Sequence, residues 1–180
     1  MTISRLVFAA VVAAGIAAAQ TEYITAKMDG ISGSSTLVGH TGECEALAWA
    51  FGATDQPPSS LSTSGAAAPK VQVSALVLTR RLDACSPRLF NYATIGQHMN
   101  TVTLTQSELG GTLRPVMVVT LSEVTVSNYQ IGGTAGDKAS PPAESVSLAF
   151  AKITFEYFVY RPDGSQGSTI TVSYDVTKGY

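Results

Sequence analysis

Alternating apolar and polar runs, turn clusters between them, and a single fully punctuated helix predict a mainly β chain: a β-barrel or sandwich carrying one short α-helix at about residues 86–95. Of the 180 residues, 45% are hydrophobic, enough for a sizeable core in one domain. Only 13% are charged, well below the usual quarter or so, which suggests that uncharged surface is covered by neighbours. The formal net charge is −2, and no basic run or aromatic–basic interleaving occurs, so nothing speaks for nucleic acid.

The N-terminus reads as an export address. Arg5 supplies a short positive region, residues 6–19 form a continuous small-apolar run, and Ala17, Ala18 and Ala19 before Gln20 make a small-residue cleavage site. The run is shorter than the roughly 20 residues a membrane-spanning helix needs, and no stop-transfer charges follow. A signal peptide cleaved after Ala19 is therefore favoured over a permanent anchor. Cleavage leaves ten basic residues against 13 acidic ones, a net charge of −3 for a domain of residues 20–180.

Residues 22–29 set Tyr23, Thr25 and Lys27 against Ile24, Ala26 and Met28, the pattern of a strand with one buried face. The glycines and small polar residues of 29–35 mark a turn-rich loop. In 43–52 both sides are largely apolar, with Cys44, Ala46, Ala48 and Ala50 opposite Leu47, Trp49 and Phe51, which predicts a strand covered from both sides. Residues 53–69 form a long loop with Asp55 as its single charge and Pro57-Pro58 near its start. Loops of that length inside a compact domain are functional or disordered. The functional reading is an arm that orders against another subunit.

Residues 71–82 give a third strand that leads into the helix. Ser86 is placed to cap that helix, because its hydroxyl can accept from a free first-turn N–H. Pro87 suits the first helical position, Leu89, Phe90 and Ala93 share one face, and Gly96 can close the end in a left-handed conformation. Strands follow at 99–106, 113–129 and 143–160, then a tight turn at Pro162-Asp163-Gly164. Residues 168–176 close the sheet, with Ile170, Val172, Tyr174 and Val176 in phase. The apolar phase changes between Leu121 and Val124, and again near Ala151-Lys152. Each slip must absorb a residue, and β-bulges that bend and twist the strand toward barrel curvature do this.

Candidates for chemistry are few, and the expectation is no catalytic residue, cofactor or metal site. Cys44 and Cys85, the only cysteines, have no metal-ligand spacing; an even pair in an exported chain reads as one disulfide, the alternative being two separate buried thiols. His40 and His98 read as structural or surface histidines, since no Ser or Cys nucleophile motif accompanies them. Asp83, just before the helix, suits fixing a loop through backbone N–H groups better than catalysis. Glu43, Glu45, Glu108, Glu123 and Glu144 are scattered without the pairing of acid–base work. The glycine run at 132–136 lacks the lysine and helix N-terminus of a phosphate cradle.

Several short motifs nevertheless stand in a specific order. They are Met28-Asp29-Gly30-Ile31, Glu45-Ala46-Leu47-Ala48-Trp49 with Phe51-Gly52, Leu82-Asp83 with Ser86-Pro87 and Leu89, and Gly96 with His98. Then come Leu121 with Glu123-Val124 and Val126-Ser127, and Pro142 with Glu144-Ser145-Val146, Leu148, Phe150 and Lys152-Ile153. This order, across residues 20–180, resembles the haemolysin-coregulated protein (Hcp) family, which builds the inner tube of bacterial type VI secretion systems. The family-motif residues are Asp29, Gly30, Trp49, Asp83, Ser86, Pro87, Glu123 and Glu144.

The resemblance implies an Hcp-like β-barrel of two packed antiparallel sheets with one short helix. It also implies a structural protein, not an enzyme, assembled as homohexameric rings stacked into a hollow tube. Its partners would be itself, a spike protein, a sheath and effector cargo, with no nucleic acid and no membrane once the signal is removed. Residues 53–69 stand where the family has its extended loop, so Asp55, Gln56, Pro57, Pro58 and Leu61 are the candidate ring-stacking residues. The export signal departs from the family pattern, whose members assemble in the cytoplasm, and implies a secreted or periplasmic location. The alternative, from another class, is a secreted monomeric β-barrel binding module that uses its long loops for a peptide, glycan or effector.

Overall fold

The computed structural model describes residues 21–55, 71–133, 135 and 142–179. The proposed signal segment, and Gln56, Pro57, Pro58 and Leu61, lie outside the described residues. In chain order the elements are β1 (Thr21–Met28), β2 (Cys44–Ala46), β3 (Ala48–Ala50), β4 (Ala53–Asp55), β5 (Val71–Val73), β6 (Leu76–Arg81), α1 (Ser86–Ile95), β7 (His98–Leu109), β8 (Leu113–Gly132), β9 (Ala143–Ala149), β10 (Lys152–Tyr160) and β11 (Gln166–Asp175). All pairings are antiparallel.

The main sheet runs β2-β1-β7-β8-β9-β6-β3, while β4 and β5 form a separate ribbon. Its two ends belong to the same stretch of chain. β2 pairs with β1, and β3, one residue later, pairs with β6. The Leu47 N–H donates to the Thr79 carbonyl at 2.8 Å across the join. Residues 44–50 therefore close the sheet on itself, as a barrel requires. The expected continuous strand at 43–52 is corrected by this arrangement: it breaks at Leu47 to change neighbours, and Leu47, Ala48 and Ala50 face outward. The stretch 71–82 likewise divides at Ser74, whose hydroxyl accepts from the Gly52 N–H at 2.8 Å. β11 does not close the sheet as expected; it pairs with β10 alone and forms an edge.

The slips of apolar phase coincide in space. Leu121 lies opposite Ile153 and Val102, and Val124 lies opposite Met99. All five are buried, yet two residues, not one, separate Met99 from Val102 and Leu121 from Val124. Glu123 absorbs the extra residue in β8 with a left-handed backbone, φ 52°. Across from it the expected continuous strand 143–160 breaks at Phe150-Ala151, where the Ala151 N–H donates to the Ser122 carbonyl at 3.0 Å. One crease thus crosses β7, β8 and the β9–β10 junction. It lets β8 pair with β10 through its first half and with β9 through its second, splitting the barrel into two packed layers.

The helix sits on the β8–β9 layer. Cys85 occupies the N-cap position without a side-chain cap, so the expected Ser86 cap is not formed. The Asp83 carboxylate accepts from the Cys85 N–H at 2.8 Å, and the Ser86 hydroxyl accepts from the Asp83 N–H at 3.1 Å. That reciprocal pair fixes the approach to the helix. Pro87 lies in the first turn, and Gly96 ends the helix at φ 65°, its N–H bonded to the Tyr92 carbonyl. Leu89 is fully buried with Tyr92 and Ala93 beside it, but Phe90 is 56% exposed and tilts against Tyr129. The inward face therefore follows 86, 89, 92 and 93. Gly30 is required at its place: its φ is 75°, and a Cβ there would lie 2.5 Å from the Tyr92 hydroxyl.

Under the helix start lies a buried charge cluster. Arg80, completely buried, pairs with Asp83 and stands 3.2 Å from Glu144. The Arg80–Glu144 contact is charge-paired but not aligned as a hydrogen bond, and Nη1 of Arg80 has no partner among the described residues. The Tyr129 hydroxyl donates to Glu144 at 2.5 Å. Burial, then this bond, then the Glu144 charge push Tyr129 up to about 12, with Arg80 opposing.

Two outcomes follow. Arg80→Met leaves two carboxylates without their cation and is expected to lower unfolding free energy by about 3–5 kcal/mol in urea titrations, with Arg80→Met/Glu144→Leu recovering part of the loss. Because the folded state raises the Tyr129 value above its ordinary 10, the associated stability is complete below pH 10 and lost as pH rises through about 12. Urea midpoints measured across that window should fall more steeply for the native chain than for Tyr129→Phe.

Candidate assembly surface

The β10–β11 hairpin presents a sheet face that starts in the core and runs out into solvent. Ile153, buried, pairs with Tyr174; Phe155 then pairs with Val172, and Tyr157 with Ile170. Period-two alternation places all six on one side. The outer members are bare: Ile170 is 56% exposed and Val172 62%. Val159 extends the same row.

Residues of the barrel-closing stretch form the facing wall. Trp49 stacks on Phe51 at 5.9 Å between ring centroids, and its indole N–H donates to Gln106 at 2.9 Å, which fixes the wall to β7. Beyond Phe51, Ala53 of β4 and Val71 and Val73 of β5 continue it. Between the walls lies an apolar cleft of about 360 Å³. Among the described residues no polar atom faces it to orient a small ligand, unlike the usual binding pocket with its few placed polar groups.

The hairpin is held stiffly. At its turn end Arg114 pairs with Glu108 and lies 4.4 Å over the Tyr160 ring, while the Tyr160 hydroxyl donates to the Pro115 carbonyl at 2.6 Å. Burial raises the Tyr160 hydroxyl above its ordinary value, against the pull of Arg114. In the expected turn at 162–164, Asp163 accepts from the Ser165 hydroxyl and N–H, and these bonds lower its carboxyl. Asp175 at the far end of β11 is lowered likewise, chiefly by the Thr177 hydroxyl. Between those two turns, residues 167–174 carry no charge. The outer edge of β11, with its unpaired N–H and C=O groups, has neither lysine nor proline to discourage pairing.

The residues singled out in the sequence gather elsewhere. Asp83, Ser86, Pro87 and Glu144 meet at the helix start, and Cys44 and Cys85 join there with Cα atoms 6.1 Å apart. Asp29 accepts from Asn100 at 2.9 Å, beside Gly30 and the helix end. Glu123 makes the crease, Trp49 braces the cleft, and Asp55 lies exposed at the end of β4. His40 bridges Thr25 and Glu43 in the loop over β1, and His98 opens β7 on the surface. Sequence reasoning missed Arg80, a charged residue that shares the buried face of β6 with Leu76 and Leu78, and the exposure of Ile170 and Val172, which alternation alone assigned to a core.

Comparison with known proteins agrees with this architecture. The family model "Type VI secretion system effector, Hcp" matches residues 25–157. A solved structure of a type six secretion system protein superposes with a TM-score of 0.78 at 26% identity, covering 89% of this chain and 99% of that one. Hcp1 from Salmonella typhimurium gives a TM-score of 0.70 at 26% identity, over 88% and 97% of the two chains. Protein hcp1 of Pseudomonas aeruginosa strain PAO1 is 32% identical over 98 residues, 54% of this chain. That alignment spans 59% of the curated relative. With the matched region running from within β1 to Tyr157 in β10, the chain belongs to the Hcp family of type VI secretion system proteins.

Proposed function

We propose that this chain is a structural subunit that closes into hexameric rings, and that the rings stack into a hollow tube. The carrying observation is the β10–β11 hairpin, which combines a free, uncharged strand edge with bare Ile170 and Val172 beside an apolar cleft. Such an edge on a lone subunit invites uncontrolled pairing, and burial against a defined neighbour removes that hazard. The hairpin and the closing-stretch wall are different surfaces, and a contact between unlike surfaces generates a ring when its rotation closes. The number six comes from the family. Hcp proteins are secreted tube proteins and not enzymes, which fits a surface without oriented reactive groups.

The apolar run at 6–19 supports export through a cleaved signal, so assembly would take place in the periplasm or outside the cell. No helix among the described residues is long and apolar enough to cross a membrane. Residues 53–69 would reach the next ring in the stack, and a spike protein, a sheath and effector cargo would be the further partners.

Purified mature protein should elute as a hexamer and show rings by negative-stain microscopy, while Val172→Asp should elute at single-subunit size with an unchanged circular dichroism spectrum. A native chain that stays monomeric at high concentration and binds a peptide or glycan saturably would support the binding-module alternative instead. Intact-mass measurement of the exported protein should place its first residue at Gln20; a mass that retains residues 1–19 would remove the export reading.

A further inference from the structure

We infer that the Cys44–Cys85 disulfide is a one-way assembly lock: the dithiol chain folds its core without completing the surface that meets the next subunit, and oxidation completes it. This rests on the ring reading above.

The bond joins two places of unequal strength. Cys85 begins α1, which is anchored by buried Leu89 and by the Asp83–Arg80–Glu144 cluster. Cys44 begins β2, the first half of the closing stretch. That stretch is held by a three-residue ladder to β1 and a three-residue ladder to β6, the shortest pairings in the main sheet. Three segments converge on the bond, since a Cβ at Gly33 would lie 2.7 Å from the Cys85 sulfur and would collide with the Glu43 carbonyl. The loop of 31–43, β2 and the helix start are thereby packed without slack around one covalent link.

What lies downstream of Cys44 gives the link its consequence. The closing stretch leads within seven residues to Phe51 and then to Ala53, and these carry one wall of the apolar cleft. The other wall, Ile153, Phe155, Val172 and Tyr174, rests on the long β8–β10 pairing and does not depend on the closing stretch. Without the bond, fraying of β2 and β3 would release the first wall while leaving the second in place. Short ladders at a closure are the part of a barrel that opens first, because few contacts are lost when they do.

Timing makes the lock one-way. Cys44 is 1% exposed and Cys85 0%, so an external thiolate cannot reach either sulfur of the folded protein. The bond once formed is therefore kept, whereas in the dithiol chain the frayed β2 leaves Cys44 open to an oxidant. In a reducing cytoplasm both thiols persist. After export, thiol–disulfide exchange with a disulfide oxidant forms the Cys44–Cys85 bond; two protons leave the cysteine thiols, and the oxidant's disulfide is reduced to two thiols. Rings would then form after export and not before it.

The test compares the oxidised mature chain with the same chain unfolded and refolded under reductant, and with Cys44→Ala/Cys85→Ala, by sedimentation velocity over a concentration series, with near-ultraviolet circular dichroism to report the core. The oxidised chain should form rings, and should keep them when reductant is added without denaturant. Both bond-free forms should retain a native-like core, should need at least about tenfold higher concentration to assemble, and the dithiol form should regain rings on oxidation. Assembly of either bond-free form at the concentration that suffices for the oxidised chain would overturn the lock and leave the ring reading intact. Failure of both forms to fold would overturn it too, by placing the bond's role in folding. An oxidised chain that never forms rings would instead refute the ring reading.

Discussion

The closing stretch of residues 44–50 is the constraint on which the other features depend. A sheet that curls into a barrel must end by pairing its last edge with its first, and here one segment supplies both edges by changing partners at Leu47. A segment shared in this way can give only three residues to each neighbour. Six ladder positions are few for a closure. The structure compensates with a covalent link closing a 41-residue separation, a constraint of roughly 4 kcal/mol in the chain-entropy view. It adds the Trp49–Gln106 hydrogen bond, which fastens the segment's second half to β7.

The crease depends on the same closure. Barrel curvature concentrated along one line needs every strand crossing that line to absorb it, or the buried side chains would fall out of register. Glu123 does so with a positive φ, the β9–β10 chain does so by breaking, and β7 does so by turning both Asn100 and Thr101 outward. Strand pairing survives because the three adjustments are neighbours. The crease also lets β10 stay paired with the first half of β8 while β11 extends past it as a free edge.

Much of the barrel was legible in the sequence because alternation reports burial directly. The two phase slips at Leu121–Val124 and Ala151-Lys152 were visible for that reason, although the slip in β7 was hidden by Asn100 and Thr101, which read as an ordinary strand start. Helix punctuation located α1 but gave a cap that does not form: Cys85 is the N-cap without a side-chain bond, and the Ser86 hydroxyl accepts from the Asp83 N–H instead. Alternation could not distinguish a face covered by its own chain from one left open. Ile170 and Val172 carry the same pattern as Val146 and Leu148, yet the latter are wholly buried. The family-motif residues lie mainly at the helix seat and the crease, so they report how the barrel is built, and the open face is evident only in the folded chain.

That open face bears on why the chain is so sparsely charged. A monomeric β protein with a free edge ordinarily blocks it with lysine, proline or a bulge. β11 is unprotected from Gly167 to Tyr174, while its flanking turns are held by Asp163 and Asp175, so its conformation is fixed even as its edge is left available. A rigid, uncharged edge costs little entropy to dock, because the hairpin needs no ordering at the moment of contact. It is also directional: the apolar side continues the core and the other side carries Thr169, Thr171 and Ser173, so a neighbour can approach in only one orientation that buries Ile170 and Val172. In the proposed ring, low charge content would be a condition of assembly. A lysine or glutamate placed on this strand would have to be desolvated at every contact, and a repeating contact would multiply that penalty.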